Sequence, residues 1–280
     1  KVKPAVELLE PWLRARVDLV GIVSDAESNL AGHEPDLVLA LGGDGTLLSV
    51  ARRLKGWQVP VMGFNFGRLG FLASFSPEHL PAAIEDALEQ RLPISPRLMI
   101  EASVVPAGVT VDALDPADII AKRTYGVRGL NDAVVTAGPP FRMIELRIAT
   151  DRDEGFHYFG DGLIVCTSSG STAYNISAGG PILSPKLAAM CLTPLCPHSL
   201  SFRPLVLSDK QTIIITSQRV NPGTGLVVDG QSQCDLSRGD RVIIRRADQD
   251  LLLLENPQAQ EWQALGEKLN WASVPNYNWK

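Results

Sequence analysis

The sequence predicts two domains of different class, an N-terminal α/β domain followed by a domain of mainly antiparallel β-sheet. Three observations lead there. Apolar, strand-like runs alternate with helical periodicity as far as Leu88, which argues for a parallel sheet covered on both faces. From Ile94 the texture changes to short β-rich segments broken by Gly, Pro or Asp. The chain has 280 residues, enough for two ordinary domains of ~100 to 200 residues each.

In the first domain, Ala5, Val6, Leu8, Leu9, Trp12 and Leu13 recur at helical spacing, and residues 17–23 read as a short buried strand. The chain opens on Lys1 with this helical segment, so an initial strand of the sheet is expected to precede it. Residues 25–35 form a polar connector to the strand Leu37-Val38-Leu39-Ala40. That strand ends in Leu41-Gly42-Gly43-Asp44-Gly45-Thr46, a tight turn into a helix that closes near Gly56. Residues 59–64 give the next strand, whose exit loop Asn65-Phe66-Gly67-Arg68-Leu69-Gly70-Phe71-Leu72 should lie beside the first turn. Phe71 there either stacks on a ligand or fills the core. Ser76-Pro77-Glu78 starts a helix through Leu88, with Pro in the first turn and an acid at the positive end.

In the second domain, residues 97–105, 109–111, 132–136, 143–150, 163–167, 205–207, 212–216, 225–228 and 241–245 read as strands. Residues 110–128 read as an irregular excursion. Residues 259–269 return to helix, with Trp262 and Leu265 on one face, and that helix is expected to pack back on the first domain.

Composition narrows the partners. A net charge of -5 disfavours nucleic acid, and no polybasic run marks a membrane surface. No apolar run approaches the ~20 residues that span a bilayer, and no signal peptide is visible, so a cytoplasmic location is expected. Cys166, Cys191, Cys196 and Cys234 form no CxxC pair and have no His at zinc spacing, which reads as reduced thiols.

The chemistry gathers in four stretches. Gly42 to Thr46 has the glycines of a phosphate turn at a helix start, yet carries Asp44 where phosphate should bind. A carboxylate there repels phosphate unless a cation lies between them or the acid takes a proton from a nucleophile, and both point to phosphoryl transfer. Asn131-Asp132 stands at a strand entrance, where turn chemistry is the plainer reading. Residues 160–181 run from Gly160-Asp161-Gly162 through a strand into Thr167-Ser168-Ser169-Gly170-Ser171-Thr172-Ala173-Tyr174-Asn175-Ile176-Ser177, a run of hydroxyls that is more than a linker. Val228-Asp229-Gly230-Gln231 taken alone is a hairpin turn. A P-loop GxxxxGK[ST] is absent, Leu48 stands where the dinucleotide fingerprint needs a third Gly or Ala, and no G-x-S-x-G elbow surrounds Ser169 or Ser171.

Taken in order, Gly42-Gly43-Asp44-Gly45-Thr46, Asn131-Asp132, Asp161-Gly162, Thr172-Ala173-Tyr174-Asn175, Gly179-Gly180-Pro181 and Asp229-Gly230-Gln231 resemble the ATP-NAD kinase family over nearly the whole chain. The Gly-Ser-Thr-Ala-Tyr-Asn run is the specific signal, whereas Gly-Gly-Asp-Gly is shared with lipid and sphingoid-base kinases. The resemblance implies a Rossmann-like α/β domain over residues 1–96, a C-terminal β-sandwich that binds NAD over 97–255, and residues 256–280 packing back on the first domain. It implies transfer of the γ-phosphoryl group of ATP, or of polyphosphate, to the 2′-hydroxyl of the adenosine ribose of NAD, giving NADP. Mg²⁺ or another divalent cation, held mainly by the ATP phosphates, and a homodimer or homotetramer follow from it as well.

Roles carry over position by position. Asp44 would accept the proton of the 2′-hydroxyl, or position that hydroxyl and the metal. Gly43, Gly45 and Thr46 would hold the triphosphate. Asn131 and Asp132 match the pair that holds the ribose, and Thr172, Ala173, Tyr174 and Ser177 match positions around the adenine and the nicotinamide end. Phe71 matches an aromatic near the adenine, Asp161 an acid that reaches a neighbouring subunit's ligand, and Gln231 belongs to the NAD-binding set. Ser168 replaces the usual proline of the loop, which should loosen it, and Phe159 replaces a basic residue of some relatives. Arg68, Arg123, Arg128 and Lys186 are then candidates to neutralise the substrate phosphates. The competing readings are a lipid or sphingoid-base kinase on the same scaffold and a catalytically inactive NAD-binding module.

Overall fold

A computed structural model describes residues 2–25, 28–67 and 70–271. The chain divides into two compact units, one comprising Lys1–Val50, Val59–Ser95 and Leu252–Lys280, the other Ala51–Gln58 and Pro96–Leu251.

The N-terminal elements are α1 (Val2–Arg14), β1 (Val38–Gly42), α2 (Asp44–Arg53), β2 (Pro60–Asn65), α3 (Leu80–Leu88) and β3 (Ile94–Arg97). β1 and β2 are parallel, with Val38 opposite Val61 and Gly42 opposite Asn65. Both strands therefore deliver their exit loops to the same end of the sheet, the end where α/β proteins bind ligands. Their loops are tied together by the Phe66 N–H, which donates to the Gly42 carbonyl at 2.6 Å. A Cβ at Gly63 would lie 2.6 Å from Leu47 Cδ1, so glycine in mid-strand lets α2 lie directly on β2. Met62, Phe64, Phe75, Leu80 and Ile84 build the core beside them, joined by Leu9 and Leu13 one turn apart on α1.

The second unit contains β4 (Ile100–Val105), α4 (Pro116–Lys122), β5 (Tyr125–Gly129), β6 (Asp132–Thr136), β7 (Ile144–Thr150), β8 (Asp153–Gly160), β9 (Gly162–Thr167), α5 (Tyr174–Ser177), β10 (Ala189–Leu195), β11 (Leu205–Ser208), β12 (Ile213–Arg219), β13 (Gly225–Val228), β14 (Ser232–Asp235) and β15 (Arg241–Arg246). These strands form two six-stranded antiparallel sheets, ordered β11-β10-β9-β6-β13-β14 and β5-β4-β15-β12-β7-β8. Every second side chain points between the sheets, such as Ile100, Ala102 and Val104 from one and Leu163 and Val165 from the other. This is the β-sandwich that the resemblance implied. On the outer face of β4, Glu101 lies 2.7 Å from Arg123 and 2.8 Å from Arg245. Burial acts to raise the proton affinity of that carboxyl, but the two guanidiniums outweigh it and hold the carboxyl below its usual range.

After the sandwich the chain forms β16 (Leu251–Leu254) and α6 (Glu261–Leu269). β16 inserts into the N-terminal sheet, which has the order β1-β2-β16-β3, and runs parallel to β2 with Leu252 opposite Pro60.

The structure corrects four local expectations. Residues 17–23 form no strand, because they find no ladder partner among the described residues and leave Val20 and Ile22 50% and 48% exposed. Residues 109–111 are a loop. The supposed excursion at 110–128 contains α4, capped by the Asp115 side chain on the Asp118 N–H at 3.0 Å with Pro116 at its start, and then β5. The chain returns to the N-terminal sheet through the strand β16, to which the sequence pattern assigned no element.

Candidate active site

The turn after β1 is built around Asp44, the first residue of α2. Its Oδ2 accepts the Phe71 N–H at 2.6 Å, and its Oδ1 accepts those of Leu72 at 3.1 Å and Ala73 at 3.0 Å. Three consecutive amides of the loop after β2 thus cradle one carboxylate and fix its orientation. Gly70 makes the approach feasible, since a Cβ there would stand 1.8 Å from Asp44 Oδ1. Gly43 offers its carbonyl to the Thr46 N–H at 3.0 Å and its own N–H to Thr46 Oγ1 at 3.4 Å, which folds the threonine hydroxyl back over the turn. Gly42 permits that fold, because a Cβ on it would collide with Thr46 Oγ1. The residues of the Gly42–Thr46 stretch therefore converge at one helix start, where backbone N–H groups and the helix dipole favour an anion.

In the second unit a cavity of about 380 Å³ opens beside the start of β6, lined by Asn131, Asp132, Ala173, Tyr174, Asp229 and Gly230 among others. Asp229 organises it. Asp229 adopts a left-handed conformation (φ 52°) at the end of β13. Its Oδ2 accepts the Leu130 N–H at 2.8 Å, and its Oδ1 accepts those of Asn131 at 2.8 Å and Asp132 at 3.1 Å. The Asp229 N–H in turn donates to the Asp132 carbonyl at 2.9 Å. Two Asp-Gly turns, at 44 and 229, thus use the same device of one carboxylate on three successive amides. Asp132 is 5% exposed. Burial, and secondarily the Asp229 charge, push its carboxyl up to about 7. Burial also raises Asp229, against the opposing pull of the three amides and of Arg52.

Between β9 and α5 the hydroxyl-rich loop spends most of its polar groups on itself. The Thr167 hydroxyl donates to the Leu130 carbonyl at 2.5 Å and accepts the Gly170 N–H at 3.0 Å, so the loop is stitched to the segment that carries Asn131. Gly170 packs against that backbone, where a Cβ would meet the Asn131 carbonyl oxygen at 2.0 Å. Ser168 Oγ lies 2.5 Å from the Leu187 carbonyl and 3.2 Å from that of Ala189, so the serine that replaces proline pins the loop instead of loosening it. Buried Asn175 donates to the carbonyls of Ser171 and Pro181, each at 2.9 Å, and accepts the Thr193 hydroxyl at 2.5 Å. The effect is to set Ala173 and Tyr174 at the cavity, with the tyrosine 49% exposed and free to offer a ring face.

Comparison with known proteins now decides the family. The ATP-NAD kinase N-terminal domain matches residues 14–92, and the ATP-NAD kinase C-terminal domain matches residues 130–255. The chain belongs to the ATP-NAD kinase family. The NAD kinase of Syntrophotalea carbinolica is 38% identical, covering 93% of this chain and 90% of that protein, and the NAD kinase of Rhodopirellula baltica is 36% identical, covering 97% and 83%. Among solved structures, yeast NADH kinase complexed with NADH superposes with a TM-score of 0.75 at 28% identity, over 86% of this chain and 67% of that one. An NAD kinase from Archaeoglobus fulgidus in complex with ATP gives 0.74 at 27% identity, over 95% and 94%. A match in both halves favours this family over the lipid and sphingoid-base kinases with which it shares the Gly-Gly-Asp-Gly turn.

In this chain Asp44, Gly43, Gly45 and Thr46 are gathered in the first unit, and Asn131, Asp132, Ala173 and Tyr174 in the second. Thr172 and exposed Ser177 flank the last two without lining the cavity, and Gln231 is exposed just beyond Gly230, its carbonyl 3.3 Å from Arg52. Asp161 is exposed at the start of β9, beside the Cys196 thiol. Phe71 is half-buried, gives its N–H to Asp44, and carries the Lys268 ammonium 3.7 Å from its ring centroid. Of the basic candidates, Arg123 is engaged by Glu101, the Arg128 guanidinium lies against Gly56, Lys186 stands on the loop before β10, and Arg68 lies outside the described residues. Sequence reasoning passed over Lys268 and gave Asp229 no role of its own, although Asp229 stands in the Asp229-Gly230-Gln231 motif. For Asp229 a signal existed, a second Asp-Gly turn following an apolar strand as Asp44-Gly45 does.

Proposed function

We propose that this ATP-NAD kinase transfers the γ-phosphoryl group of ATP to the 2′-hydroxyl of the adenosine ribose of NAD, giving NADP, with Asp44 orienting that hydroxyl. The amide cradle of Asp44 is the observation that carries this reading. A carboxylate offers about four lone-pair sites. Oδ1 receives two N–H groups and Oδ2 only one, which leaves an acceptor site on Oδ2. A ribose hydroxyl that donates there has its oxygen aligned for attack, and phosphoryl transfer depends chiefly on such positioning and on charge stabilisation. The 2′-oxygen bonds to the γ-phosphorus as the bond to the β–γ bridging oxygen breaks. ADP leaves with that electron pair, and the hydroxyl proton passes to Asp44.

Gly43, Gly45 and Thr46 would receive the triphosphate at the start of α2, where the Thr46 hydroxyl accepts from Gly43 and keeps its own proton to donate. In the second unit, Asn131 and Asp132 would hold the ribose and Tyr174 would stack on a base, while Thr172, Ala173, Ser177, Phe71, Asp161 and Gln231 complete the proposed NAD set. Among the described residues no cluster of three or more His, Cys, Asp or Glu side chains is placed to hold a metal ion. Mg²⁺ keeps chiefly to phosphates and at most one or two acids, so it would be held mainly by the ATP phosphates, with the remaining Oδ2 site of Asp44 left to the ribose hydroxyl. Bound there with ATP, the cation offsets the charge between Asp44 and the phosphates. A homodimer or homotetramer and a cytoplasmic location belong to the same proposal. Leu205 and Val206, exposed on the edge strand β11, are in keeping with assembly. No helix among the described residues is long and apolar enough to cross a membrane.

The test is a matrix assay of ATP or polyphosphate against NAD or NADH with Mg²⁺, read as NADP or NADPH formed. Formation of NADP from ATP and NAD is expected. NAD binding with no turnover would support the inactive-module reading, and labelled phosphate recovered in a lipid extract would support a lipid kinase.

A further inference from the structure

The amide cradle of Asp44 is held from two sides, and the second hold comes from the far end of the chain. The Lys268 ammonium on α6 donates to the Gly70 carbonyl and sits over the Phe71 ring, 3.7 Å from its centroid. Phe71 opens, and Gly70 directly precedes, the run Phe71, Leu72, Ala73 whose N–H groups grip Asp44. Asp44 therefore draws the loop inward through its amides, while Lys268 clamps the loop's first carbonyl and its aromatic side chain. We propose that Lys268 is a positioning residue for the phosphoryl transfer, closing the 70–73 segment on Asp44 so that the carboxylate keeps the one orientation in which it meets the ribose hydroxyl.

The chemistry of the contact suits that role. A cation over an aromatic face gains most where water is excluded. Lys268 is half-buried, and burial lowers its proton affinity while the charges of Asp44 and then Glu267 work to keep it protonated. The ammonium thus feels the catalytic carboxylate directly as well as through the loop. Methionine, neutral and without a donor, would lose the cation–ring attraction, the carbonyl bond and the field together. Arginine would keep all three, since its planar cation both stacks on rings and donates to carbonyls. The separation in sequence is 198 residues, so the C-terminal helix takes part in a turn formed near the N-terminus.

The proposal rests on the assignment of Asp44 above, and the experiment separates the two. Steady-state NADP formation from ATP and NAD is measured for the full chain and for Lys268→Met, Lys268→Gln and Lys268→Arg, with thermal midpoints and amide hydrogen exchange over residues 70–75. Lys268→Met should lower kcat at least ~10-fold with KM for both substrates within ~3-fold, the behaviour of a group that acts on the transition state. Exchange at 71–73 should rise while that of β1 and β2 stays unchanged. Lys268→Gln, which keeps a donor for Gly70 without the charge, should fall between, and Lys268→Arg should recover most of kcat. An unaltered kcat in Lys268→Met or Lys268→Gln would overturn the proposal. Equal losses in all three variants with a matching fall in thermal midpoint would overturn it too, by reducing Lys268 to fold stability. A native chain that forms no NADP would sink the underlying assignment instead.

Discussion

The Phe71 N–H lies 2.6 Å from Asp44 Oδ2, so the residue that starts α2 and the loop that leaves β2 are one structural object. The same relation recurs 185 positions later in kind, with Asp229 on the amides of Leu130, Asn131 and Asp132. Both turns join a strand end to a loop far away in sequence through a buried or half-buried carboxylate, and consequences for stability and turnover follow from that arrangement.

Gly70→Ala should damage turnover through Asp44. The added Cβ meets Asp44 Oδ1 and Cγ at well under van der Waals distance, and Asp44 is anchored too firmly to step aside. A destabilisation of about 1–3 kcal/mol is expected for such overpacking. The fall in kcat should exceed what the loss of folded protein explains, as checked by denaturant unfolding beside steady-state kinetics.

Asp229→Asn should raise KM for NAD far more than it lowers kcat. The amide offers one acceptor oxygen in place of two, so at least one of the three N–H groups loses its partner. An unsatisfied buried donor costs about 1–3 kcal/mol. The segment carrying Asn131 and Asp132 is then released from its fixed position. Calorimetric NAD binding and a thermal midpoint measured on the same sample check both effects.

Asp132 makes a pH-dependent contribution to stability. Its carboxyl has a folded value of about 7 against 3.8 for the ordinary group, because burial, and after it Asp229, disfavours the charge. Between those values the unfolded chain releases its proton while the folded chain keeps it. Stability from this group is therefore fully present below 3.8 and is lost as pH rises through 7, at up to roughly 1.4 kcal/mol per pH unit within the window. Asp132→Asn should gain stability relative to the native chain between pH 5 and 8, as read from urea midpoints at each pH.

Much of this was legible in the sequence, and the reasons are specific. The strand, glycine turn and helix around Asp44 were readable because an apolar strand-like run, a cluster of glycines and a run at helical spacing follow one another directly in the sequence. The cradle was not, because nothing local says that Phe71, Leu72 and Ala73 turn their amides towards residue 44. Asp229 was read as a hairpin turn since Asp-Gly has the same local pattern whether or not its carboxylate holds a segment 98 residues away. Lys268 lies on a short helix whose periodicity reports burial and not the target of a lysine. Leu251–Leu254 is only four residues long, and a run of leucines carries no period to separate strand from helix. Residues 17–23 show the reverse error, an apolar run without a neighbouring strand to complete its ladder.

The central claim is that the cradled carboxylate of Asp44 acts on the ribose hydroxyl in the transfer step, and Asp44→Asn tests it most directly. The variant keeps the side-chain shape, removes the charge and places one N–H₂ where the loop amides expect an acceptor. The measurement is kcat for NADP formation from ATP and NAD, set beside the dissociation constant for NAD. The account predicts a fall in kcat of roughly 10²–10⁴-fold, the span of a lost acid–base group, with NAD binding within a few-fold of native. Turnover at the native rate with NAD binding intact would contradict it.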